Sequence, residues 1–85
     1  MPVRFTIEQV FELRQRGVIL AAGHLQDGTV AGTMTLHDET TGQAVRVLGL
    51  ELIPPPTHDP DRVILIIDPA SPLRPVDGMV LVSPT

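Results

Sequence analysis

The sequence predicts an all-β fold whose strands curl into a small closed barrel, and three observations carry that prediction. Apolar side chains recur at every second position over several short stretches, the spacing of a strand with one buried face. Those stretches follow one another at short intervals, separated by Gly, Pro and Asp, the punctuation of small barrels and sandwiches. The longest of them, Gln43 to Ile53, flips its apolar phase around Gly49, and such kinks turn a sheet through a barrel corner.

Taken in order, residues 3–13 read two ways. On a period of two, Phe5, Ile7, Phe11 and Leu13 share a face, with Gln9 and Val10 breaking the alternation. On a helical period Ile7, Val10, Phe11 and Arg14 align, and Thr6 with Gln9 imitates a capping box. The strand reading is preferred because everything after it is β. Residues 18–25 (VILAAGHL) form an apolar run too short for a typical helix, predicting a strand covered on both faces. Asp27-Gly28 supplies a turn and Gly32 a flexible point.

From Thr33 to His37 the pattern alternates, with Met34 and Leu36 on one face, and DETTG (38–42) makes a polar turn. In 43–53, Val45 and Val47 share one face while Leu48, Leu50 and Leu52 share the other. PPPTHDPD (54–61) is a loop, because its run of three prolines removes three donors. Residues 63–67 predict a fully buried strand, 68–78 a proline-containing loop, and 79–82 a last short strand. About six strands result, within a single domain spanning 1–85.

Composition narrows the functional classes. Hydrophobic residues make up 42% and charged residues 19%, a globular balance. With Phe5 and Phe11 the only aromatics, the core must be aliphatic; the alternation puts both on the core face. Cysteine is absent, which excludes disulfides and thiolate chemistry and fits a reducing compartment. Every basic residue is Arg, so no lysine Schiff base or phosphate-loop lysine is available. The net charge of −4 argues against a broad nucleic-acid or anionic-membrane footprint. The opening MPVRFTIEQV is not a signal peptide, and no apolar run approaches membrane-helix length. A cytoplasmic setting is expected.

Three segments, FTIEQVFELRQRGVILAAGHLQDGTV (5–30), VRVLGLEL (45–52) and VDGMVLV (76–82), together resemble domain two of the translational GTPases, the β-barrel of elongation factor Tu. Phe5, Ile7, Val10, Phe11, Leu13, Arg16 and Gly17 meet that family's opening pattern. Gly23 and Gly28 match its next two glycines, and Gly49 with Glu51 its Gly-x-Glu strand. The resemblance implies a closed barrel of six to seven strands, of the translation-protein type, with Arg16-Gly17 in a tight turn between strands one and two. The chain departs from the family in lacking the phosphate loop, so GTP hydrolysis is excluded. It also has Gly32-Thr33 where the family carries Gly-Asp. The family's counterpart of Glu51 lies on a surface that meets aminoacyl-tRNA and is followed by basic residues; here Ile53 and three prolines follow.

Residues able to carry chemistry are sparse. His24, His37 and His58 stand 13 and 21 apart, matching no metal motif. The six aspartates (27, 38, 59, 61, 68 and 77) all fall in turns or loops, where Asp bonds its own backbone, and His58 with Asp59 is the one base–carboxylate cluster. Ser71 and Ser83 sit in no nucleophile elbow. No catalytic residue, metal or cofactor is expected. Arg14 and Arg16 beside Gly17 form the candidate binding turn, and the resemblance adds Glu51. The expected function is a stand-alone, non-catalytic interaction module contacting a protein partner through this turn or the proline-rich loops. An RNA- or ribosome-binding accessory is the alternative, although a stacking platform is missing if both Phe are internal. Apolar surface on 63–67 or 79–82 leaves pairing of two copies open.

Overall fold

A computed structural model describes residues 2–30, 33–52 (the Leu52 side chain excepted) and 62–83. Six strands run through them: β1 (Arg4–Leu13), β2 (Val18–Asp27), β3 (Met34–Asp38), β4 (Ala44–Leu52), β5 (Arg62–Ile67) and β6 (Val80–Val82). All neighbours are antiparallel, and the order β1-β2-β5-β4-β3-β6 returns to β1, so the sheet closes into a ring. Strands β3, β4 and β5 lie side by side and β6 comes back beside β3, which is a Greek key. The PPPTHDPD loop and Gly32 lie outside the described residues.

The interior is aliphatic, as the composition requires. Phe5 is the one aromatic within it, packed among Ile7, Leu36, Val45, Leu65, Ile67 and Leu81, all almost fully buried. Gly23 serves this packing directly. A Cβ there would lie 2.0 Å from the Thr6 carbonyl oxygen and 3.0 Å from the Phe5 ring, so only glycine lets β1 and β2 approach so closely. The 68–78 segment folds back over the core. Its Leu73 is buried, and the amides of Asp68 and Leu73 donate to the Arg46 and Ala44 carbonyls of β4.

Two bulges set which residues point outward. The β1–β2 register shifts between Ile7 and Gln9, at the place where the sequence alternation breaks. Beyond the shift Val10 packs against the core and Phe11 is 44% exposed, so the expectation that both phenylalanines are internal is corrected. The β4–β5 register shifts between Val47 and Gly49. Val45 and Val47 point inward before it and Leu50 packs inward after it, while Leu48 is left 40% exposed on the bulge.

Of the two runs expected to be covered on both faces, β5 is covered on one, and β2 is covered on both only at Ala21–Gly23. In β2 Ile19 and Ala21 are buried while Val18, Leu20 and His24 are half-exposed, and β5 alternates with Ile64 and Ile66 half-exposed. A single closed ring has one interior and no second layer to cover its outer face, so uninterrupted apolar sequence here does not mean two-sided burial.

Candidate functional site

The sequence Arg14-Gln15-Arg16-Gly17 joins β1 to β2 at the end of the longest hairpin. Its polar residues favour solvent, and Gly17 adopts φ +64°, the left-handed conformation that closes the hairpin loop. The Arg16 amide donates to the Leu13 carbonyl at 3.1 Å and the Gly17 amide to the Arg14 carbonyl at 3.2 Å. These bonds hold the backbone while leaving all four residues exposed.

Three of the four expected site residues, Arg14, Arg16 and Gly17, therefore share one turn, and the fourth comes to meet them. Arg16 Nη1 lies 3.9 Å from Glu51 Oε1, linking the turn to β4, two places along the ring from β2. Both side chains are about half exposed, so water screens the pair, and such contacts are worth about 0–1 kcal/mol. The Arg14 side chain has no hydrogen bond or ion pair among the described residues.

Two residues missed by sequence reasoning complete the site. Glu12, on β1, forms an ion pair with Arg74 of the 68–78 segment, 62 positions away. No local signal joins them; only the return of that segment over the core does. Beneath lies a cleft of about 280 Å³ lined by Glu12, Leu13, Arg14, Gly17, Val18, Ile19, Pro69 and Arg74. A second hollow, of about 450 Å³, runs along Glu12 to Arg16. This end of the ring thus has apolar walls and a rim of three guanidinium groups. Three of the six basic residues gather here with two of the ten acidic ones, Glu12 and Glu51, so it carries +1 while the remainder of the chain carries −5.

Elsewhere the polar groups serve the fold. Asp38 accepts from the Thr40 amide and the Thr41 hydroxyl, and these bonds hold its carboxyl below the usual range. Asp68 caps the Ala70 amide, and Asp77 accepts from the Val10 amide. Ser71 Oγ accepts from the Arg46 amide, and Ser83 Oγ from the Val3 amide. His24 Nδ1 lies 2.7 Å from Glu8, which also faces Arg62. His58, Asp59 and Asp61 lie outside the described residues. Among the described residues no three His, Asp or Glu groups gather as a metal site would require.

No family model, curated protein or solved structure matches this chain. The fold and the site therefore define its class by themselves: an all-β ring presenting an arginine-rimmed turn.

Proposed function

We propose that this chain is a non-catalytic binding module that contacts a protein partner through the Arg14–Gly17 turn and the surface beside it, acting in the cytoplasm without a cofactor. The observation that carries the reading is Phe11, 44% exposed on β1 three positions before the unpaired Arg14. Exposed aromatic and arginine side chains are the residue types that dominate protein interfaces. The ring's interior is filled by its own core, so recognition falls to its outer face and loops. On this reading the ring is a barrel of the translation-protein type. Six strands, the left-handed Gly17 after Arg16 and the close approach at Gly23 support that type.

The test is affinity capture from the native cell with the wild-type chain, Phe11→Asp and Arg14→Glu immobilised in parallel. A partner retained by the wild type and lost from both variants is expected; identical retention on all three would sink the proposal.

Phe11 also gives one specific observation in favour of RNA, since it supplies an exposed aromatic on the strand that leads into the arginine turn, and single-strand binders stack bases on such side chains. That reading requires RNA retention that falls steeply as salt rises, and it is abandoned if retention is absent at low salt.

A further inference from the structure

Two paired strands carry more apolar sequence than the ring's interior uses. β2 opens Val18-Ile19-Leu20-Ala21-Ala22 and β5 runs Val63-Ile64-Leu65-Ile66-Ile67, uninterrupted series of the kind found in strands buried on both faces. The interior takes Ile19 and Ala21 from the one and Val63, Leu65 and Ile67 from the other. Alternation turns Val18, Leu20, Ile64 and Ile66 outward, where all four are half-exposed. Among the described residues no second layer lies over them.

Register gathers these side chains into one stripe. Leu20 stands opposite both Phe11 of β1 and Ile66 of β5, and Ile66 stands opposite Gly49 of β4. Gly49 has no side chain to interrupt the row, and Leu48, on the bulge beside it, is 40% exposed. The row thus crosses four of the six strands without a polar side chain. By contrast β3 turns Thr35 and His37 outward, with Arg46 of β4 opposite Thr35.

The borders of the stripe say what covers it. Glu51, opposite Ile64, is paired with Arg16, while His24 and Arg62, the next outward positions past Ala22 and Ile64, both face Glu8. Asp68, the next past Ile66, accepts from the Ala70 amide. These flanking charges are satisfied within the chain, so they ask for no partner of opposite sign, and the same surface of a second copy meets them without burying an unmatched charge. Homodimer interfaces are also the most apolar class. A standard interface takes about 800 Å² from each partner, about one sixth of the 5138 Å² this chain exposes, and the outer face of four strands supplies it.

We propose that two copies of this chain form a symmetric dimer by laying the outer faces of β2 and β5 against each other, as sheet packs on sheet in a sandwich. A two-fold axis passing beside Leu20 and Ile66 sets each stripe on its own counterpart. Phe11 then stands at the margin and the Arg14–Gly17 turn beyond it, so the dimer goes beyond the partner-binding reading and leaves that turn accessible. Because only folded chains pair, the urea midpoint rises with protein concentration, and dilute protein unfolds as a monomer with Ile66 half-exposed.

The experiment is sedimentation equilibrium of the full chain over a concentration series, with Leu20→Glu and Ile66→Glu each checked for folding by circular dichroism. The wild type is expected at twice the 9.2 kDa of one chain. Either glutamate is expected to raise the dissociation constant about a hundredfold or more, since it buries a carboxylate without a counterion. Ile66→Thr keeps the branched shape, so it serves if the glutamates do not fold, and is expected to weaken the dimer about tenfold. Thr35→Glu, off the stripe, and Arg14→Glu, in the turn, are expected to leave the dimer intact. A wild type that stays monomeric at about 1 mM, or that binds lipid vesicles as a monomer, overturns the proposal. So does a dimer indifferent to all three stripe variants, or one dispersed equally by Thr35→Glu. The partner reading falls separately, on protein capture that Phe11→Asp and Arg14→Glu leave unchanged.

Discussion

Glycines at positions 17 and 23 are both indispensable to the hairpin, but for different reasons, and the difference is measurable. Gly17 has a left-handed backbone with nothing within 4 Å of the place a methyl group would take, so Gly17→Ala is strained by about 1–2 kcal/mol from the backbone alone. Gly23 has an ordinary backbone but no space, because the Thr6 carbonyl oxygen would sit 2.0 Å from a Cβ. Gly23→Ala must push two paired strands apart, and urea unfolding should show a larger loss than Gly17→Ala, as overpacking costs about 1–3 kcal/mol or more. Equal losses would mean that the hairpin yields freely at Thr6. Asp38 acts through protonation instead. Its carboxyl is held below the ordinary 3.8 by the Thr40 amide first and the Thr41 hydroxyl second. The stabilisation is therefore complete above that value and is lost as pH falls through the lower folded-state value. The urea midpoint of the wild type should drop on acidification below 3.8 by more than that of Asp38→Asn; parallel curves would remove Asp38 from the acid limb.

Among the elements, β5 gives the sharpest contrast between the two faces of the ring. Leu65 is fully buried while Ile66, its neighbour, is half-exposed on the outside. Leu65→Ala should cost about 2–5 kcal/mol, and Ile66→Ala clearly less, read from the same unfolding curves. Similar costs would mean that the outer face is covered. This element also shows where sequence reading reaches its limit. The run Val63 to Ile67 is plainly a strand, but five consecutive apolar residues carry no alternation from which to tell inside from outside. The phase flip at Gly49 is legible because Val47 and Leu50 are both apolar and lie an odd number of residues apart, which a bulge alone reconciles with one core. The break at Gln9 is visible too, yet its consequence is not: carrying the initial phase through it puts Phe11 inside. The turn at 14–17 stands out in the sequence through its two arginines and glycine. Its neighbour Arg74 does not, since a contact across 62 positions leaves no local pattern.

At the scale of the molecule, charge is divided as unevenly as exposure. An end carrying +1 on a chain whose remainder carries −5 gives an uneven surface, and any electrostatic attraction of a partner to the arginine turn should weaken as salt rises. Retention of the partner on the immobilised chain should decline from low salt to about 0.5 M, where the screening length falls below about 5 Å. Salt-independent affinity would assign binding to the apolar contacts alone. The closure of the ring has a further consequence, in time rather than in energy. The Val3 amide and the Ser83 hydroxyl that meet beside the β1–β6 seam are 80 positions apart. The seam can form only after a wide excursion of the chain has been drawn in, and folds dominated by such distant pairings form in about milliseconds to seconds rather than microseconds. Until that seam knits, the margin of β1 that β6 will cover stands bare, open to pairing with a neighbouring chain during every refolding.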